Sequence, residues 1–118
     1  MVTIFIVEDD PNVQKIYEKM LRHSSFHIIG MANNGKEAIK MYQSFSKKPD
    51  IILMDHHMPV KKGLEAATEI LRINSESKIV IVSADNNVKD KALSLGVKKF
   101  LTKPFGWKSL IQIIKDVL

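Results

Sequence analysis

The chain has 118 residues, 45% hydrophobic and 26% charged, with no cysteine and a formal net charge of +5. That is enough for one buried core and too little for two, in the composition of an ordinary globular domain. No apolar run approaches the roughly 20 residues that span a bilayer, no signal-peptide pattern opens the chain, and the lack of cysteine excludes disulfide scaffolds and thiolate zinc sites.

The expectation is therefore a cytoplasmic, single-domain protein over residues 1–118 with no membrane contact. The positive charge comes mainly from scattered lysines, with Arg22 and Arg72 the only arginines. A nucleic-acid surface draws on clustered lysine and on arginine for bidentate contacts, so the pattern argues against direct nucleic-acid binding.

Val2-Thr3-Ile4-Phe5-Ile6-Val7 is almost wholly apolar and reads as a buried strand. It runs into three consecutive acids, Glu8, Asp9 and Asp10. Pro11 suits the first position of a helix capped by Asp10, and Val13, Ile16, Met20 and Leu21 follow at helical spacing. Capping uses one acid, not three. Like charges packed side by side cost roughly 4 kcal/mol per pair at 4 Å and an effective dielectric of 20, a cost that a cation relieves.

His27 to Ala32 is a second strand, and Asn34 with Glu37 three residues on resembles a capping box before a helix carrying Ala38, Ile39, Tyr42 and Phe45. Ile51-Ile52-Leu53-Met54 then forms a strand apolar on both faces, ending in Asp55. Gly63 closes the following loop, and Leu64, Ala67, Thr68 and Leu71 mark the next helix. Lys78 to Val82 is a fourth strand leading to Ser83-Ala84-Asp85, followed by a weak helix that Gly96 ends as its C′ residue. Val97 to Leu101 is a fifth strand, leading to Thr102-Lys103-Pro104, and an amphipathic helix from Trp107 completes the chain. Met20, Met31 and Met41 read as core filler. Trp107 fits either a core or an exposed position.

Five βα units in alternation imply a doubly wound, five-stranded parallel sheet with helices on both faces, a flavodoxin-like α/β fold. In the strand order 2-1-3-4-5 the carboxyl ends of strands 1, 3, 4 and 5 converge on one cleft. They bring Glu8 and Asp9, Asp55, Ser83 and Lys103 together. A lone Asp at a strand end serves equally well as a cap, a nucleophile or a metal ligand, but the set is more restrictive. Hard oxygen donors favour Mg2+ or Mn2+ over zinc. A hydroxyl and an ammonium facing that cation suit a phosphoryl group, whose charge is spread over three oxygens. The constellation reads as a site for phosphorylation of Asp55.

The motifs Ile6-Val7-Glu8-Asp9-Asp10, Leu53-Met54-Asp55-His56-His57-Met58-Pro59 with Gly63, Val82-Ser83-Ala84 and Leu101-Thr102-Lys103-Pro104-Phe105 resemble those of the receiver domains of two-component response regulators, the CheY-like family. The resemblance covers essentially the whole chain. It implies that Asp55 is the phosphoacceptor, taking phosphate from the phosphohistidine of a sensor histidine kinase or a histidine phosphotransfer protein. It further implies that Asp9 and Asp55 bind Mg2+ directly, Glu8 through water, and His57 through its backbone carbonyl. Lys103 is implied to pair with a phosphoryl oxygen, Ser83 to bond another and draw its loop inward, and Phe100 to be the aromatic switch. Lys103-Pro104 resembles the family's cis peptide. The change is implied to reach the surface of the fourth helix, fifth strand and fifth helix, and through it a downstream protein or a fused output domain, with the domain a monomer or a phosphorylation-dependent dimer. That region is basic here, with Lys91, Lys98, Lys99, Lys108 and Lys115, which suits an acidic partner or self-pairing.

His57 and Asp85 occupy the two positions that flank the hydrolytic water in the family and tune phosphoryl lifetime. An imidazole there brings a pH dependence near 6.5. Adjacent His56 and His57 also invite a zinc reading, but neighbouring side chains after a strand diverge. The alternative function is a Mg2+-dependent phosphohydrolase with an aspartyl-phosphate intermediate. Such enzymes carry a second acid two residues past the nucleophile, where this chain has His57, and they need a cap for which 118 residues leave no room. The chain thus reads as a signalling switch that assists its own phosphorylation and dephosphorylation, not a turnover enzyme.

Overall fold

A computed structural model describes residues 1–118. Strands β1 (Thr3–Val7), β2 (His27–Ala32), β3 (Ile51–Asp55), β4 (Ile79–Ser83) and β5 (Lys99–Thr102) alternate with helices α1 (Pro11–Leu21), α2 (Gly35–Ser44), α3 (Gly63–Ile73), α4 (Lys89–Ser94) and α5 (Trp107–Val117). All strand pairs are parallel, in the order β2-β1-β3-β4-β5. This is the doubly wound sheet that the alternation of elements predicts.

Strand residues alternate between two cores. Phe5, Val7, Ile52, Met54, Ile79, Ile81 and Phe100 face Ala38 and Tyr42 of α2, Leu64, Ala67 and Ile70 of α3, and Ala92 of α4. Ile4, Ile6, Ile51, Leu53, Val80 and Val82 face Tyr17 and Leu21 of α1 and Leu110 and Ile114 of α5. Burial on both faces explains why β1, β3 and β4 read as continuous apolar runs. Met20, Met31 and Met41 pack at the margins of these cores as half-buried filler. No helix is long and apolar enough to cross a membrane.

Caps follow the sequence closely. Asp10 accepts from the Asn12 amide at 2.8 Å, and Asn34 from the Glu37 amide at 2.8 Å. The capping box is half-made, because Glu37 turns to the Asn33 side chain instead. Gly96 sits at φ +106 just past the α4 C-cap, as its C′ role requires. A 3-10 turn at Asn86–Val88 precedes α4. The fifth strand begins at Lys99 rather than Val97, since the Val97 amide turns back to the Ala92 carbonyl of α4. Trp107 is 37% exposed and stacks on His23, with ring centroids 4.0 Å apart.

One backbone position is strained. Val60 has φ 71, and the Lys61 amide beyond it donates to the Pro59 carbonyl at 2.7 Å, closing a three-residue γ-turn. A β-branched side chain is poorly suited to this region, and Val60, 76% exposed, gains little packing in return. Asn tolerates the same backbone. Val60→Asn will raise stability by about 1 kcal/mol in urea unfolding; an unchanged or lower midpoint would show that the turn carries no strain.

Candidate functional site

The strand order puts the ends of β1, β3, β4 and β5 side by side, and the side chains there converge. Oxygens of Glu8, Asp9 and Asp55 all lie within 4.8 Å of one another. Lys103 Nζ reaches Asp55 Oδ1 at 3.1 Å and Glu8 Oε1 at 3.8 Å. Ser83 is buried at the end of β4, and its carbonyl accepts from the Lys103 amide at 3.0 Å. The Lys103–Pro104 peptide is cis. Glu8, Asp9, Asp55 and Lys103 therefore meet at one point, and Ser83 ends the adjoining strand β4.

Local structure holds each in place. Glu8 donates its amide to the Ala32 carbonyl at 3.0 Å, and its Oε2 accepts from the Asp10 amide at 2.9 Å. Gln14 of α1 donates to the Glu8 carbonyl at 2.7 Å and to Asn33 Oδ1 at 3.0 Å. Ser83 Oγ accepts from the Asp85 amide at 3.0 Å, which leaves its own proton free to donate elsewhere. Gly63 lies against the backbone of Asp55 and His56, where a Cβ would collide with both. That close approach requires glycine at this point in the loop.

The electrostatics are unbalanced. Each ionised carboxylate pair at such separations costs about 3 kcal/mol at an effective dielectric of 20, and the one ammonium present pairs with Asp55 and Glu8 but not with Asp9. Glu8 is 2% exposed, and its Oε1 has no hydrogen-bond partner. Burial, reinforced by a side-chain hydrogen bond with Asp9 and by the Asp55 charge, pushes its carboxyl up from 4.5 to about 7, while the Asp10 amide and Lys103 act against the shift. An orphaned buried oxygen among three acids, with no soft donors, fits a hard divalent cation such as Mg2+. Tyr17, buried below the cleft, has its phenol pushed up by burial and by the Glu8 and Asp55 charges.

His56 and His57 differ in setting. His56 is buried, and its Nδ1 accepts from the Leu64 amide at 3.4 Å in the first turn of α3. Its carbonyl takes the Gly63 amide at 3.0 Å. Lys62, at the N-cap of α3, makes no side-chain cap bond, so His56 supplies what the cap residue lacks. Burial first, then the neighbouring His57 and Lys62 charges, lower the His56 pKa, consistent with a neutral ring accepting at a helix N-terminus. His57 is exposed, with Nε2 3.9 Å from Asp85 Oδ2 at the mouth of the cleft. The two rings do meet edge-on at 4.8 Å, closer than divergent side chains imply. Phe100 is 9% exposed and packs inward with the core on the α2–α4 side. Gln14 and the His56 cap were not among the residues singled out from sequence. Neither carries a spacing signal, because each depends on a contact between separate elements.

The chain is similar to known proteins in sequence and in fold. The family model described as the response regulator receiver domain matches residues 4–115. The chain is 30% identical to the chemotaxis protein CheY of Thermotoga maritima over 116 residues, covering 97% of this chain and 95% of the relative. Among solved structures, the Thermotoga maritima response regulator TrrA in complex with Mg2+-BeF superposes with a TM-score of 0.89 at 30% identity, covering 100% of both chains. The receiver domain of a Pseudomonas aeruginosa sensor histidine kinase, with a magnesium ion coordinated in its active-site cleft, gives 0.86 at 28% identity, covering 98% of this chain and 95% of that one.

The raised Glu8 carboxyl has a measurable consequence without divalent cation. The native state holds its proton up to about pH 7, whereas the unfolded chain releases it near 4.5, so wild-type stability declines across that interval. Glu8→Gln removes the decline. Urea unfolding in chelator will show the variant gaining on wild type from pH 4.5 to 7, by on the order of 2 kcal/mol in total. Parallel pH profiles would contradict the burial cost assigned to Glu8.

Proposed function

The chain belongs to the response regulator receiver domain family, and from that premise we propose that Asp55 is the residue at which this phosphoryl-accepting switch of two-component signalling takes its phosphate. The observation that carries the assignment is the pairing of a buried strand-end carboxylate with Lys103 at 3.1 Å, beside an acid pair with an unsatisfied oxygen. An oxygen of the Asp55 carboxylate attacks phosphorus, forming a P–O bond as the P–N bond to the donor imidazole breaks. Lys103 moves its hydrogen bond from Asp55 to a phosphoryl oxygen, and the Ser83 hydroxyl donates to another. Asp9 and Asp55, the His57 carbonyl, and Glu8 through water are the residues we assign to holding Mg2+, or Mn2+, which when bound offsets charge on the phosphoryl oxygens.

The donor is the phosphohistidine of a sensor kinase or of a histidine phosphotransfer protein. We assign the switch to Ser83 and Phe100: motion of the Ser83 loop acts on β5, to which Asn86 is joined by the Thr102 hydroxyl at 3.1 Å. His57 and Asp85, at the mouth of the cleft, govern access of the water that ends the signal. With acetyl phosphate and Mg2+, wild type will take up about one phosphoryl group per chain and Asp55→Asn none, and after donor removal His57→Asn will lose the label at a different rate. Uptake by Asp55→Asn at the wild-type level would overturn the assignment, Mg2+-dependent hydrolysis of a phosphate monoester such as p-nitrophenyl phosphate at many turnovers would favour the phosphohydrolase, and an unchanged decay rate would remove the role of His57.

The output surface has a distinctive charge. Residues 1–85 carry eleven basic and eleven acidic side chains, so the whole net charge of +5 lies in residues 86–118, with seven lysines against Asp90 and Asp116. Lys89, Lys91, Lys98, Lys99, Lys108 and Lys115 are exposed on or beside α4, β5 and α5. This supports an acidic protein segment as the partner, and the absence of arginine from the stretch counts against nucleic acid. Immobilised polyglutamate will retain the protein at low ionic strength and release it above about 0.15 M salt, with retention lost in the Lys98→Glu, Lys99→Glu double variant. Retention unaffected by that change would remove this surface from the account.

A further inference from the structure

We propose that Gln14 is a positioning residue for the acid turn, holding the peptide that joins Glu8 to Asp9 so that both carboxylates aim at one cation. The inference rests on the reading of Glu8 and Asp9 as cation-binding residues. Glu8 lies one residue past the end of β1, so its carbonyl has left the strand ladder. The carbonyl points instead at the side-chain amide of Gln14, which donates to it at 2.7 Å. Because a peptide unit is planar, fixing that oxygen also fixes the direction in which the chain enters Asp9.

The same amide spends its second proton on Asn33 Oδ1 at 3.0 Å, and Asn33 in turn reaches the Glu37 carboxylate at 3.4 Å. Gln14 is thereby braced from the β2–α2 loop rather than left as a free surface side chain. The Glu8 amide and Oε2 are held by the Ala32 carbonyl and the Asp10 amide. The carbonyl is the remaining point of attachment, and a side chain supplies it. Without that bond the peptide can rotate, and the two carboxyl groups lose their common direction. Orienting groups of this kind typically change metal affinity by about 10-fold to 100-fold when removed.

Two substitutions separate orientation from packing. Gln14→Met keeps length and helix propensity but removes the donor. Gln14→Arg places Nε–H at the same number of bonds from the backbone and restores a donor. Mg2+ alone is titrated into the full chain and followed by backbone amide NMR shifts, with unfolding in chelator measured in parallel. The expected result is a Mg2+ dissociation constant raised about 10-fold in Gln14→Met and largely recovered in Gln14→Arg, with phosphorylation by acetyl phosphate needing more Mg2+ but reaching a similar rate at saturation. Should Gln14→Met not fold, Asn33→Ala, which removes the brace, is expected to weaken Mg2+ binding in the same direction. An unchanged dissociation constant in the Met variant, or no recovery with Arg once its added charge is screened by salt, overturns the proposal. Asp9→Asn distinguishes the two levels: if it too leaves Mg2+ affinity unchanged, the cation-site reading fails, whereas a loss confined to Asp9→Asn removes only the role of Gln14.

Discussion

Three carboxylates gathered around one ammonium at the end of a parallel sheet set the terms for the rest of this molecule. Oxygens of Glu8, Asp9 and Asp55 lie within 4.8 Å of one another, and Lys103 pairs with only Asp55 and Glu8. Such crowding persists only because the strands carrying the acids are fixed by two apolar cores, one on each face of the sheet. The cores hold the acids in a conformation that their charges oppose. The site is consequently short of positive charge, a need that a divalent cation with hard oxygen ligands fits.

The same arrangement provides a route outward. Ser83 ends β4 at the cleft, and the loop it begins is joined to β5 through the Thr102–Asn86 hydrogen bond. Phe100, two residues earlier on β5, packs inward among the residues facing α2–α4. A group that draws Ser83 inward therefore acts on a strand whose far side is flanked by exposed lysines. In the structure the short strand β5 lies between the buried carboxylate and the lysine-bearing surface. On the opposite loop, His56 caps α3 from inside, so the backbone following Asp55 is tied to a helix rather than left to its own flexibility.

Most of this was legible in the sequence wherever a residue's role depends on its own element. Apolar runs doubly buried by the fold marked β1, β3 and β4, and Asp10, Asn34 and Gly96 announced helix ends through local hydrogen bonding and local φ. The five cleft residues were legible because a parallel sheet sends every strand end to the same edge. What escaped depends on tertiary contact. The start of β5 moved because the Val97 amide was claimed by α4, and Trp107 found His23, a residue more than eighty positions away, as its stacking partner. Gln14 looked like an ordinary polar position on α1, and the α3 cap could not be located because Lys62 stands where a capping side chain is expected. Val60 gave no sign that its backbone would be left-handed.

Chemical trapping distinguishes Asp55 from the neighbouring acids as the residue that takes the phosphoryl group. Borohydride reduces an acyl phosphate to the alcohol, converting a phosphorylated aspartate into homoserine, which peptide mass spectrometry locates. After phosphorylation with Mg2+ and acetyl phosphate, homoserine is expected at position 55, with Asp9 and Asp10 unmodified. Homoserine at either of those positions, or label retained on a histidine with Asp55 unreduced, would contradict it.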